Sequence, residues 1–272
     1  MIVNFYRLLN MSKVVEVHLE WKYTPPDYLE DPIIITEPGI HLEISQGVAI
    51  ASIEPATFEN NSLISDELTK MVENRLYAVQ FTTHKKFSLS EPSRSDLRED
   101  GGKNVYLKGV DFISFTDFAA DLVVIDKDGK VTSTKQERLK EQGWLIEMMN
   151  KYRSTDKVLD QMLESYKKSV HDPDNEFVYL YEIRERLKTA FNNSEANTKQ
   201  ELNITQTQWS DLGNLANNTP VEQSRHRGKF NNLRAAEFSE LEKARKTAVD
   251  FIKKYLDYLD KSANQNNHRK FT

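Results

Sequence analysis

Val15, Val17, Leu19 and Trp21 fall on one side of an extended segment, and Glu16, His18, Glu20 and Lys22 on the other. This alternation predicts a half-buried β-strand. Turn residues follow at Pro25-Pro26-Asp27 and Glu37-Pro38-Gly39, flanking Ile33-Ile34-Ile35. Further strand-like runs are His41–Ser45, Val48–Ile53, Val105–Lys108 and Leu122–Ile125. Asp126-Lys127-Asp128-Gly129 reads as a hairpin turn into Lys130–Thr134, because Asp and Gly tolerate the positive φ of such turns. Two helices interrupt the strands. Leu68, Met71, Val72, Arg75, Leu76 and Val79 recur at helical spacing within 62–83, and Leu139, Leu145, Ile146, Met149 and Tyr152 within 135–153. The polar, turn-rich Ser88–Lys103 between them is expected to be an exposed loop.

Beyond residue 154 the period changes to that of a helix throughout. Leu159, Met162, Leu163, Tyr166 and Val170 form one apolar stripe, and Phe177, Leu180, Tyr181, Ile183, Leu187 and Phe191 the next. Asp172-Pro173-Asp174 stops the first helix and opens the second. A short helix is expected at 195–202 and another from Thr205, with Trp209, Leu212, Leu215 and Ala216 inward. A last helix, about 234–261, carries Phe238, Leu241, Ala248, Ile252, Tyr255 and Leu259. Seven of nine glycines and six of eight prolines lie in residues 1–150, which is where turns between short strands require them.

The predicted fold class is an α+β N-terminal domain followed by an all-α helical bundle. Its parts are a dispensable extension over 1–10, a sheet-containing domain over 11–135 and a connecting helix over 136–153. A helical bundle over 154–261 and a disordered tail over 262–272 complete it. Residues 1–10 are apolar but broken by Asn4 and Arg7, with no small-residue cleavage site after them, so a signal peptide is not expected. Met11 is an alternative start.

Composition narrows the function classes. The 272 residues include no cysteine, which excludes a thiol nucleophile, a disulfide scaffold and thiolate metal sites. No run approaches the roughly 18 apolar residues of a membrane span, and a cytoplasmic location is expected. The charge balance is 37 basic against 42 acidic residues, so an anion-binding surface has to be a local patch.

One such patch stands out. Residues 225–234 read Arg-His-Arg-Gly-Lys-Phe-Asn-Asn-Leu-Arg, with four basic side chains, a histidine and no acid. Guanidinium forks suit phosphate oxygens, an imidazole moves protons near neutral pH, and Gly228 permits close backbone approach. A purely structural alternative has the arginines pairing with Glu222, Glu237 or Glu240 and the histidine capping a helix.

The phrases YLYEIRERLKTAF (179–191) and ITQTQWSDLGNLANNTPVEQSRHRGK (204–229), with the long last helix, resemble the HEPN group of all-α domains over roughly 155–260. That resemblance implies a helical hairpin, an Arg/His-bearing turn and a closing helix, working as a homodimer without metal or cofactor. It also implies an RNA-directed effector that binds and cleaves RNA in a toxin or phage-defence setting. The group's cleavage signature is an arginine, four to six intervening residues and a histidine. Upstream of His226 those positions hold Val221, Pro220 and Thr219, so only His226 carries over, with Arg225 and Arg227 as stand-ins. On this reading the 2′-hydroxyl attacks the adjacent phosphorus while His226 moves the proton and an arginine stabilises charge. Asn217, Glu222 and Glu182 are candidates to hold the imidazole, and Lys229, Arg234 and Asn217 to hold the strand. The rival expectation is a non-catalytic dimerisation or protein-interaction module with no nucleic-acid role.

Other motifs are weaker. Asp128-Gly129-Lys130 matches a fragment of metal-dependent nucleases, with Asp111, Asp117 or Asp121 upstream, but sits in the expected hairpin turn. Asp126–Gly129 lacks the rest of a calcium loop. The six histidines have no zinc spacing, and no phosphate-binding glycine loop or serine elbow occurs. His18 is expected on the polar face of its strand, and Tyr181, Trp209, Trp21 and Trp144 in the core.

Overall fold

The computed structural model describes residues 12–106 and 135–269. The expected extension over 1–10, the strand at 122–125 and the 126–129 turn with its Asp-x-Lys fragment lie outside the described residues. The chain divides into two compact units, Met1–Glu73 with Phe87–Asp121, and Asn74–Lys86 with Leu122–Thr272.

The first unit is built on an antiparallel sheet. Strand β1 (Val14–Thr24) is the central ribbon, joined by β2 (Ile33–Glu37), β3 (Ile40–Ser45) and β4 (Val48–Ile53), then β5 (Ser88–Leu89), β6 (Ser93–Arg98) and β7 (Lys103–Tyr106). The order is β2-β3-β4-β1-β6-β7, with β5 pairing the end of β1. The alternation expected for β1 is realised from Val17 onward, with Val17, Leu19, Trp21 and Tyr23 buried, while Val15 at its start is exposed. Large and small residues oppose each other across the sheet, Leu19 facing Ala51 and Trp21 facing Ala49, so the bulky side chains have room to lie over neighbouring strands. Helix α1 (Pro55–Asn60) precedes α2 (Ile64–Thr83). The first half of α2 buries Ile64, Leu68 and Val72, and the Trp21 indole N–H donates to Thr69 at 2.9 Å.

The expected exposed loop over 88–103 instead holds β5 and β6. Its residues gave no apolar alternation because the inward positions of β6 are charged. Arg94 opposes Leu19 and Asp96 opposes Val17. Asp96 is buried, and Arg94 donates to both of its oxygens at 2.8 and 2.9 Å while Tyr106 donates to one of them. The Arg94 guanidinium lies over the Phe58 and Tyr106 rings at 4.4 and 4.9 Å. A salt bridge satisfied in this way fills the place of an apolar pair.

The second unit is helical: the later half of α2, then α3 (Lys135–Tyr152), α4 (Lys157–His171), α5 (Glu176–Ala190), α6 (Glu195–Glu201), α7 (Gln206–Asn217) and α8 (Phe238–Arg269). Single 3-10 turns stand at Pro173–Asn175 and Arg227–Lys229. Helices α4 and α5 form the expected hairpin, and α8 packs against α3, α4, α5 and α7. Ala244, Ala248, Phe251, Ile252, Tyr255 and Leu256 make its buried stripe. Helix starts follow capping chemistry. Asp156 accepts from Leu159 N–H at 2.8 Å, and Thr205 with Gln208 makes a reciprocal capping box at α7.

Helix α8 departs from expectation at both ends. It starts at Phe238, which is 73% exposed rather than inward, and runs to Arg269, through most of the expected tail. The polar residues there show no apolar period, but no Gly or Pro interrupts the backbone, and Asn264 donates back to Asp260. Among the described residues no helix is long and apolar enough to cross a membrane.

Candidate nucleic-acid interface

The basic segment is a loop whose two ends are tied together. Helix α7 stops at Asn217, and the N–H groups of Asn218 and Thr219 both donate to the Asn214 carbonyl. Val221 and Arg234 then form a parallel bridge, with Glu222 N–H donating to Arg234 O at 2.9 Å and Arg234 N–H to Pro220 O at 3.1 Å. Arg225 N–H donates to Ala216 O at 2.8 Å, holding the start of the loop over the last turn of α7.

The four basic side chains have three different fates. Arg234 makes a bidentate pair with Glu240, both contacts at 2.7 Å, as the structural alternative envisaged. Arg227 donates to Ser224 O at 2.9 Å, to Asp174 O at 2.7 Å and to the Asn175 side chain. It thereby clamps the loop to the turn between α4 and α5, yet all three acceptors are neutral and leave its charge uncompensated. Arg225 is exposed, and its guanidinium carbon lies 4.5 Å from the centre of the Tyr181 ring. Lys229 is exposed. Among the described residues Arg225, Arg227 and Lys229 make no ion pair.

Arg184, on α5, was not apparent as a site residue in the sequence. Its guanidinium carbon lies 4.4 Å from the Trp209 ring centre and 5.2 Å from that of Tyr181. It donates to the Trp209 carbonyl at 3.1 Å and approaches Glu195 at 3.5 Å. Lys199, hydrogen-bonded to Glu195, holds that carboxyl below the usual range. Trp209, Arg184, Tyr181 and Arg225 therefore form an alternating aromatic–guanidinium ladder. It begins at a buried indole and ends at an exposed cation. Trp209 is core as expected; Tyr181 is only half-buried.

His226 is exposed and heads the 3-10 turn without a side-chain cap bond. None of its three proposed holders is bonded to it. Asn217 donates to Gly213 O at 3.0 Å, Glu182 accepts from Ser165, and Glu222 uses its backbone on Arg234. Gly228 has no atom within 4 Å of where a β-carbon would stand, so close approach within the chain does not require glycine there.

A second polar constellation lies in the interior of the helical unit. Glu176 is 1% exposed and takes a bidentate pair from Arg245 at 2.5 and 2.8 Å. His84 shares a hydrogen bond with the Tyr166 hydroxyl at 3.2 Å and stands 3.5 Å from Glu176. Burial, aided by the Arg245 charge, lowers His84 to a pKa of about 3, so its ring is neutral and its approach to Glu176 is not an ion pair at neutral pH. Burial pushes the Tyr166 hydroxyl up. The cluster anchors the start of α5, immediately after the two residues that receive Arg227. Among the described residues no group of three His, Asp or Glu side chains is arranged to hold a metal ion.

No family model, no curated protein and no solved structure matches the chain.

Proposed function

We propose that the helical unit binds RNA through the 225–229 loop, as a HEPN-like module that recognises rather than cleaves. The observation that carries this reading is the uncompensated charge of Arg225, Arg227 and Lys229 on one short loop of a net acidic chain. Elsewhere in the unit Arg234, Arg245, Arg153 and Lys243 each meet a carboxylate. Three cations without a carboxylate on a loop tied at both ends would neutralise phosphates and release their counterions on contact. Among the described residues no side chain is bonded to the His226 imidazole, and no arginine stands four to six residues before it, so the reading is binding rather than cleavage.

Binding of a labelled RNA measured against salt concentration tests this. Affinity should fall linearly in log–log form, with the slope reduced by about 1 when Lys229 is changed to alanine. Metal-free incubation should leave the RNA intact in both the native protein and His226→Ala. Cleavage that vanishes with His226 would make the protein a ribonuclease instead.

A protein-interaction role is the second reading, favoured by Phe238 at 73% and Leu233 at 37% exposure beside the loop. Salt-insensitive or absent RNA binding would leave that reading in place.

A further inference from the structure

We infer that the exposed guanidinium of Arg225 is the stacking platform for an unpaired nucleobase, so that the loop selects single-stranded over duplex RNA. This rests on the RNA-binding reading above and specifies its substrate class. The ladder alternates aromatic ring and cation from the core outward: Trp209, Arg184, Tyr181, Arg225. The inner guanidinium, Arg184, has two rings near it, whereas the outer one, Arg225, has one and is exposed. The next member such a series accepts is another π-face.

Three features fit that member to a base. Among the described residues Arg225 has no carboxylate partner, so its weakly hydrated guanidinium is free to stack. Its backbone is fixed by the hydrogen bond to Ala216 O, which limits where the side chain reaches. Arg227 and Lys229 lie within four residues of it on the same loop and supply positive charge for the phosphates of the strand. A duplex keeps its bases paired and stacked on one another and presents none to such a platform, whereas single strands are read by splayed bases on aromatic and arginine planes. An acidic peptide would meet the edge of the guanidinium and leave its open face unused.

The test compares the full-length protein's affinity for a short single-stranded RNA, the same strand with abasic riboses, and the corresponding duplex. The single strand should bind on the order of 5- to 100-fold more tightly than the abasic strand, the range that one stacked base supplies. Arg225→Lys keeps the charge and loses the plane. It should bring the single strand down to the abasic level while leaving the salt slope unchanged. Tyr181→Leu should do the same with Arg225 intact, at unchanged thermal stability of the sheet unit. Equal, salt-sensitive binding of all three ligands would overturn the platform and leave RNA binding standing. No salt-sensitive binding of any would remove both. Full displacement of the strand by millimolar adenosine monophosphate would also overturn the inference, since the occupant would then be a free nucleotide.

Discussion

Gly213 stands where a side chain would strike Arg184: a β-carbon on it would lie 2.1 Å from the arginine's Nη1. A glycine buried within α7 carries a helix-propensity cost of about 1 kcal/mol relative to alanine. Here the missing side chain is what lets the guanidinium lie across α7 between the Trp209 and Tyr181 rings.

Gly213→Ala is therefore expected to separate stability from binding. The gain in helix propensity, about 1 kcal/mol, offsets the loss of the Arg184 contacts. Urea unfolding should shift little. Displacing Arg184 removes the support beneath Tyr181 and Arg225, so affinity for single-stranded RNA should fall several-fold. Unchanged affinity would show that the ladder does not transmit order to its outer end.

His84 predicts an acid sensitivity of the helical unit. Its native pKa, about 3, is below the ordinary 6.5, so below pH 6.5 the unfolded chain takes up a proton that the native state refuses. Stability should be full above pH 6.5 and decline as pH falls toward 3, with a slope approaching about 1.4 kcal/mol per pH unit from this one group. His84 has φ of 52°, a left-handed conformation that asparagine tolerates. His84→Asn should flatten the slope between pH 6.5 and 5, measured by urea midpoints at each pH. A slope identical in both proteins would place the acid sensitivity elsewhere.

Arg227 performs two tasks that two substitutions can separate. Arg227→Lys keeps the charge but cannot reach Ser224, Asp174 and Asn175 together. It should lower stability by about 1–2 kcal/mol and preserve the salt dependence of RNA binding. Arg227→Gln should lower stability similarly and also reduce the salt slope by about 1. Thermal melts and salt titrations on the two variants check both outcomes.

Asp156 joins two helices through its two oxygens, capping α4 with one and accepting the Tyr255 hydroxyl at 3.0 Å with the other. Asp156→Ser retains the cap and loses the second bond, and Asp156→Ala loses both. The alanine variant should be the less stable of the two by about 1 kcal/mol, the value of an N-cap. Equal denaturant midpoints would mean that the cap contributes nothing here.

In the sheet unit, Thr69→Val removes the acceptor of the buried Trp21 indole N–H while keeping the side-chain shape. An unsatisfied buried donor costs about 1–3 kcal/mol. The loss should appear as faster hydrogen exchange across β1 and β4, with the helical unit unaffected.

The sequence by itself determined the fold class, because period-two and period-3.6 patterns are local consequences of which face a strand or helix buries. β1, β3, β4, α2, α3, the α4–α5 hairpin and the start of α7 near Thr205 were all legible in this way. The basic loop was legible too, as a run without acids. Tertiary structure alone decided what each cation does. Arg225 reaches Tyr181 and Arg227 reaches Asp174, residues distant in the chain that no local period connects, while Arg234 turns back to Glu240. Arg184 was hidden because its partners, Trp209 and Gly213, lie on another helix. β6 was hidden because the half-buried Arg94 and buried Asp96 read as loop until the fold brings Tyr106 and the Phe58 ring against them. Local pattern records which faces are apolar. Whether a buried or half-buried charge is matched depends on groups brought together only when the chain folds.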